Sequence, residues 1–211
     1  MKKTLVIALG LSCAMTTAVF AAPATDFTKG NTLFDIGFIN SELDTSDSSG
    51  STSWDSKTNI DLGVTHSLGN NLALQYKYQK VNNDYFGIDT KNDIQQFNVV
   101  YKLNDNLNAI AGISRLAGDV EGIDIDTQTN FQVGLTGHTA FNDKLSGWAT
   151  LTAGSDVYSY EIGVGHKMSE IADLNLFYRY TKFSNVEFDG YSAYKFDAKA
   201  KGVGLGVTLK F

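Results

Sequence analysis

The sequence contains one cysteine and one proline, and both scarcities narrow the class of protein. Cys13 lies in an apolar N-terminal stretch, so the chain beyond it can form no disulfide and has no thiol chemistry. Pro23 also lies near the N terminus, so no proline interrupts a strand in the rest of the chain. No long apolar run follows Ala21, which leaves no segment suited to a transmembrane helix.

Basic residues are also scarce relative to acidic ones. The net charge of the whole chain is −6, and without Lys2 and Lys3 the chain keeps 15 basic against 23 acidic residues, a net charge of −8. An acidic chain is poorly suited to nucleic acid, so we expect no nucleic-acid partner.

The first 21 residues have the order of parts found in a secretory signal peptide. Lys2 and Lys3 give a positive start, an apolar stretch follows over residues 5–20, and Ala21 ends a tolerated cleavage site. The stretch is short for a membrane anchor and rich in small residues. We therefore predict that residues 1–21 are cleaved and that residues 22–211 form one exported domain.

Apolar and polar residues alternate with period two along the rest of the chain, which is typical of half-buried strands. The last segment shows this most clearly, because residues 203, 205, 207, 209 and 211 are all apolar and alternate with Gly, Thr and Lys. The pattern predicts ten strands, near 31–41, 57–67, 72–81, 94–103, 107–116, 129–138, 145–154, 158–167, 174–183 and 202–211.

Three features favour a membrane barrel over a soluble sandwich. The strands are about ten residues long, which suits a tilted crossing of a bilayer, and tyrosines such as Tyr76 and Tyr178 lie on the apolar face like an interfacial girdle. Short connections alternate with long ones. The short ones are 68–71, 104–106, 139–144 and 168–173; the long ones are 42–56, 82–93, 117–128 and 184–199; the connection at 155–157 is an exception.

Strand edges cannot stay unpaired in lipid, so the sheet must close. The fold class predicted is therefore all-β, a closed antiparallel up-and-down transmembrane β-barrel. Ten strands fit best. Eight would require merging the segments at 145–154 and 158–167, and twelve would require a further hairpin in the first or last loop.

The chain resembles the small outer-membrane barrels of the opacity-protein and porin-like group, most specifically in its last ten residues, Gly-Val-Gly-Leu-Gly-Val-Thr-Leu-Lys-Phe. The resemblance implies a location in the outer membrane with its lipid as partner. It also implies help from periplasmic chaperones and the barrel-assembly machinery during biogenesis. In that interpretation the terminal signal comprises Leu205, Val207, Leu209 and Phe211, which alternatively are only lipid-facing residues.

The inward faces carry charges of both signs, and two interpretations stay open. Either the charges pair and fill the lumen, or they line a water path and set its selectivity. Several inward glycines leave space, which a narrow lumen occupies or which Phe177 and Arg179 cover. The candidate lumen-lining residues are Asp35, Asp61, Lys77, Lys102, Glu161 and Arg179.

Residues for catalysis are few. His66 and His166 are predicted at the membrane interface and His138 in the lumen near the periplasmic mouth, away from the outer face where a barrel enzyme would need a base. We expect no enzyme, no cofactor and no metal site, and we interpret the acidic loops as solvated surface. Loop aromatics such as Phe86 are a modest indication of binding.

Two functions follow as hypotheses. The first is a narrow, porin-like channel for small solutes or ions, because ten strands lie between a filled barrel and an open one. The alternative is a closed barrel whose surface loops serve adhesion, surface protection or envelope integrity. Neither solute, loop partner nor oligomeric state follows from the sequence.

Overall fold

The structure is a computed structural model that describes residues 26–211, so the predicted signal peptide and its cleavage site lie outside the described residues. No helix within residues 26–211 is long and apolar enough to cross a membrane. The strands are β1 Thr32–Asp47, β2 Gly50–Ser53, β3 Lys57–Gly69, β4 Leu72–Tyr85, β5 Ile88–Asn104, β6 Leu107–Val120, β7 Ile123–Ala140, β8 Leu145–Gly154, β9 Val157–Ser169, β10 Ala172–Phe188 and β11 Tyr191–Lys210.

Ten of these strands close into an antiparallel barrel, which confirms the predicted fold class. Consecutive strands are neighbours around the sheet, and β1 pairs with β3 on one side and with β11 on the other. The closing seam is long, from Leu33 opposite Lys210 to Ser46 opposite Asp197. The eleventh strand, β2, pairs only with the end of β1 and forms a small hairpin within the first connection.

The prediction of four long loops was wrong, because most of each loop continues the flanking strands. Residues 82–93 and 117–128, for example, are strand except at two-residue turns, and β11 alone has 20 residues. These extensions lie beyond the zone in which the outward side chains are apolar, and their own outward side chains are polar. The hydrophobic alternation that marks a strand in lipid therefore weakens there, although the ladder of backbone hydrogen bonds continues.

Tight turns make these extended hairpins possible. Phe86 and Gly87 have φ of 49° and 86°, and Glu121 and Gly122 have φ of 51° and 78°. Two successive positive φ values define the type I′ turn, whose twist matches that of the flanking strands. The chain reverses in two residues, and the strands on either side stay paired to the tip.

The β8–β9 hairpin is shorter than its neighbours. Beyond its turn, the strands on either side of it, β7 and β10, come into direct contact. β10 has a register irregularity between Phe183 and Val186, where Asn185 has a φ of 57°. The bulge bends the strand, so that β10 reaches β7 through the Phe188–Ile125 bridge. The β7 and β10 walls therefore meet above the β8–β9 turn.

The barrel has two distinct ends and an apolar outer belt. The described chain begins and ends at one end, together with the turns at 70–71, 105–106, 141–144 and 170–171; we call it the terminal end. The opposite, hairpin end carries the extended strands. Between them the outward side chains are large and apolar, and many are half exposed, among them Phe38 at 59%, Phe131 at 62% and Leu205 at 54%. Such a belt is suited to lipid.

Candidate functional site: the barrel interior and the hairpin end

A buried ion network crosses the middle of the lumen. Arg179 on β10 binds Glu161 on its cross-strand neighbour β9, with Nε–Oε2 and Nη2–Oε2 distances of 2.7 and 2.6 Å. The same guanidinium binds both oxygens of Asp61 on β3 from the other side of the barrel. Lys77 lies 3.5 Å from Glu161, and Trp148 Nε1 donates to Glu161 Oε1 at 2.9 Å. Two bases and two acids balance, as buried charges require.

Two of the inward glycines are covered by aromatic rings. A Cβ on Gly163 would lie 2.3 Å from the Trp148 ring, and a Cβ on Gly204 would lie 2.2 Å from the Phe177 ring. Both rings are buried, and Arg179 Cζ lies 5.0 Å from the centre of the Phe177 ring. Of the two explanations for the glycine space, the structure favours the filled lumen.

Asp35 lies beside this layer at the end of a short hydrogen-bond chain. Asn175 Nδ2 donates to Thr208 Oγ1 at 2.7 Å, and Thr208 Oγ1 donates to Asp35 Oδ1 at 2.5 Å. Farther toward the terminal end, Lys210 Nζ lies 2.5 Å from a carboxylate oxygen of the fully buried Asp173. Charged and polar pairs therefore continue below the central network.

The segment before β1 covers the terminal mouth. Phe27 is 7% exposed and packs on Ala73, Val100 and Ile110. The backbone carbonyl of Asp26 accepts a hydrogen bond from Ser67 Oγ at 2.9 Å.

Hydrogen bonds with Thr28 and Asn31 order the same segment. The side chain of Thr28 lowers the pKa of Asp26 against the opposing effect of partial burial, with help from the Thr28 amide and Asn31. Asp26 is thus an ionised carboxylate near neutral pH.

Lys102 lies at the rim of this mouth rather than in the middle of the lumen. Its ammonium is 2.7 Å from Asp105 in the β5–β6 turn and lowers the pKa of that carboxyl. His138 is buried beside it, with Nε2 2.8 Å from the Asp105 carbonyl oxygen. His66 and His166 are exposed on the outer face. All three histidines lie within three residues of the strand ends at Gly69, Ala140 and Ser169, and thus near the terminal end, as predicted.

An apolar core fills the barrel at the hairpin end. Phe183, Val81 and Val186 are each 1% exposed, and a cavity of about 30 Å³ lies at its centre. The buried members are Leu43, Trp54, Val81, Ile94, Leu116, Ile125, Val157, Phe183, Val186, Ala198 and Ala200. The sequence did not predict this core.

The spaces around the ion network are small. Cavities of about 40 and 30 Å³ lie on its two sides, and both are lined by Lys77, Glu161 and Arg179. Spaces of this size hold a few water molecules, and the charged side chains of the network separate them. Within residues 26–211 the lumen is thus filled at the terminal mouth, in the middle and at the hairpin end.

The hairpin tips expose aromatic side chains. Phe86 at the β4–β5 turn is 89% exposed and packs edge-on against Tyr85, with ring centres 4.6 Å apart. Tyr194 near the last tip is 48% exposed and donates a hydrogen bond to Asp47. No group of three or more His, Cys, Asp or Glu side chains in the described part of the chain could hold a metal ion.

The residues of the proposed terminal signal lie on the outward face of β11. Leu205 is 54% and Phe211 70% exposed, and Phe211 packs edge-on against Phe34 across the closing seam, with ring centres 5.7 Å apart. Val207 and Leu209 share that face by alternation, opposite Ile36 and Phe34. The segment therefore closes the barrel and presents an apolar outer face.

Comparison with known proteins gives relatives by fold only. No protein-family model matches the chain, and no curated protein matches it. The outer-membrane protease OmpT of Escherichia coli is similar with a TM-score of 0.64 and 11% identity, covering 89% of this chain and 100% of that one. Neisserial surface protein A has a TM-score of 0.49 and 17% identity, covering 87% and 100%. The attachment invasion locus protein Ail of Yersinia pestis has a TM-score of 0.44 and 12% identity, with the same coverage. The chain has the fold of the small outer-membrane β-barrels.

Proposed function

We propose that this protein is an outer-membrane barrel with a closed lumen that acts at the cell surface through its extended hairpins. The observation that carries the proposal is the filled interior: Phe27 covers the terminal mouth, the Arg179 network crosses the middle, and an apolar core fills the hairpin end. A barrel of ten strands is close to the width that side chains fill.

The orientation follows the usual asymmetry of such barrels. The terminal end faces the periplasm and the extended hairpins face outward, since outer segments are the longer ones in this architecture. Export through the signal peptide predicted at residues 1–21 is part of this proposal, and no catalytic role is proposed.

The exposed aromatic tips are the part of the molecule best suited to contact a partner. Exposing an apolar ring such as that of Phe86 to water is unfavourable. A partner that covers the ring removes it from water, which contributes favourable free energy to binding. The role we propose is adhesion; surface protection and envelope integrity are the other roles that a closed barrel of this shape could serve.

Adhesion is tested with bacteria that display the protein on an epithelial monolayer. Phe86→Ser should lower the number of retained cells at equal surface expression. Phe141→Ser is the matched control, because Phe141 is 57% exposed in a turn at the terminal end. Equal retention of the wild type, both variants and cells without the protein would refute adhesion while leaving the closed lumen standing.

A narrow, gated channel is the second candidate. The cavities on either side of the ion network favour it, because Lys77, Glu161 and Arg179 line both of them. Opening would require the guanidinium to leave Asp61 or Glu161, and those carboxylates would then set cation selectivity.

We further propose that the barrel-assembly machinery recognises the last strand. The alternating, outward Leu205, Val207, Leu209 and Phe211 support this, since they form one apolar face along the closing seam. Deleting Phe211 should lower the yield of folded barrel in cells more than it lowers the stability of barrels already formed.

A further inference from the structure

A third carboxylate shares a cavity with the central ion network. The larger of the two cavities beside the network, of about 40 Å³, is lined by five charged side chains, Asp35, Asp61, Lys77, Glu161 and Arg179. With all five ionised, three acids face two bases, which leaves a net charge of −1. An excess of one sign inside a barrel requires a counter-charge. The cavity therefore needs one positive charge more than the network supplies.

Asp35 is the carboxylate that lacks a partner of opposite charge. In the described part of the chain, no lysine, arginine or histidine nitrogen lies within 4 Å of it. Asp61 and Glu161, by contrast, both contact Arg179. The Thr208 hydroxyl, which donates to Asp35 Oδ1 at 2.5 Å, is neutral. The unbalanced charge thus lies on Asp35.

Asn175 lines the same cavity and adds an unpartnered amide oxygen. Because the Thr208 hydroxyl gives its hydrogen to Asp35, its oxygen accepts a hydrogen bond from Asn175 Nδ2, at 2.7 Å. This fixes the orientation of the amide and leaves Oδ1 for another partner. Asn175 is 4% exposed, and its Oδ1 has no hydrogen-bond partner within residues 26–211. A buried acceptor of this kind requires a donor or a cation.

We infer that this cavity binds one sodium ion. Hard cations prefer oxygen ligands, and the ion is bound by the Asp35 carboxylate and by Asn175 Oδ1. A single positive charge brings the cluster to zero, whereas a divalent cation would leave it at +1. Sodium suits the small space better than potassium, which is the larger ion. The cavity also holds about one or two water molecules, which complete the coordination of the ion.

A proton on Asp35 is the competing explanation for the same charge. It would neutralise the carboxyl group and reverse the chain of hydrogen bonds, so that Asp35 donates to Thr208 and Thr208 donates to Asn175. The amide group of Asn175 would then be left with a buried donor and no acceptor. A sodium ion satisfies the net charge, the amide oxygen and the space together. Its binding requires no particular role for the hairpin tips.

The test is thermal unfolding of the purified protein in an uncharged detergent, followed by heat-dependent gel mobility. Sodium chloride is exchanged for N-methylglucamine chloride at constant ionic strength, so that only the cation changes. A ligand that binds the folded state alone stabilises it increasingly with concentration. The unfolding midpoint should therefore rise with the logarithm of the sodium concentration, and the same series with potassium should give a smaller rise.

Two variants test the ligands. Asp35→Asn should abolish the dependence on sodium and should unfold at a higher temperature than the wild type in sodium-free buffer, because no unbalanced carboxylate remains. Asn175→Leu keeps the charge but removes the amide oxygen, and it should shift the rise to sodium concentrations about tenfold higher. Asp93→Asn is the control, because Asp93 lies on the outer wall, where Tyr78 donates to it. Its sodium dependence should match that of the wild type.

Three results would overturn the inference. The first is a wild-type midpoint that does not respond to sodium, and the second is an equal response in Asp35→Asn. The third is an equal loss of the response in Asp93→Asn. If the wild-type midpoint ignores sodium but falls as the pH rises, and Asp35→Asn removes that fall, the neutralising charge is a proton on Asp35 and not a sodium ion.

Discussion

The central ion network makes a prediction with a definite magnitude. Arg179→Met removes a guanidinium that contacts Asp61 and Glu161, and its side chain is only 12% exposed. The two carboxylates keep their burial, and among residues 26–211 the cation left beside them is Lys77, 3.5 Å from Glu161. Removing one partner of a buried ion pair costs about 3–5 kcal/mol, because the remaining charge is left without compensation.

The assay is equilibrium unfolding by guanidinium chloride in detergent micelles, followed by tryptophan fluorescence and by heat-dependent gel mobility. Arg179→Met should lower the free energy of unfolding by about that amount. Arg115→Gln is the control, since Arg115 faces outward between Gln95 and Thr129 and has no ion pair in the described chain. Its effect should stay within about 0.5 kcal/mol.

A second variant separates charge from packing. Arg179→Met combined with Asp61→Asn restores the balance of charge and leaves the Lys77–Glu161 pair in place. It should recover much of the lost stability, because replacing a buried pair costs less than breaking it. A loss below about 1 kcal/mol for Arg179→Met alone, or no recovery in the double variant, would refute the view that these charges hold the barrel closed.

Three further predictions follow from the interior. In the same unfolding assay, Gly204→Ala should destabilise the barrel by about 1–3 kcal/mol, since its Cβ would meet the Phe177 ring at 2.2 Å. Gly137→Ala is the control and should have little effect, because nothing lies within 4 Å of its Cβ. Phe27→Ala should release the segment that covers the terminal mouth, seen as faster amide exchange of that segment with the rest of the barrel unchanged; equal exchange would contradict the packing. Because the folded-state pKa of Asp26 is lowered, its contribution is present above the ordinary carboxyl pKa and is lost as the pH falls through the lowered value. The protection factor of this segment, which is its exchange relative to the intrinsic rate at each pH, should therefore fall in acid in the wild type and stay constant in Asp26→Asn.

The sequence predicted the parts of the fold that lipid dictates. Residues 203–211 alternate strictly because one face of β11 meets lipid and the other meets the lumen, and the ten-strand barrel followed from such segments. The strand extensions could not be found this way, since their outer faces are polar. A different signal was present: Phe86-Gly87, Glu121-Gly122 and Asp189-Gly190 each place Gly where a two-residue hairpin turn needs it, in the middle of a supposed loop.

The interior was predicted in part. Alternation placed Asp61, Glu161 and Arg179 on the inner face, but which charges meet across the lumen depends on the relative shift of distant strands, and the sequence pattern does not contain it. The burial of Trp148 could have been anticipated, because it stands at an inward position among Ser and Thr on β8. Phe27 gave no periodic signal, since it precedes the first strand.

The measurement that tests the closed lumen most directly is conductance of the purified protein in a planar lipid bilayer. The account predicts no current steps from the folded wild-type barrel, with folding verified by heat-dependent gel mobility. Arg179→Met serves as a sensitised control. Discrete, reproducible steps from the wild type would contradict a closed barrel, favour the gated channel, and make Asp61 and Glu161 the residues to mutate for selectivity.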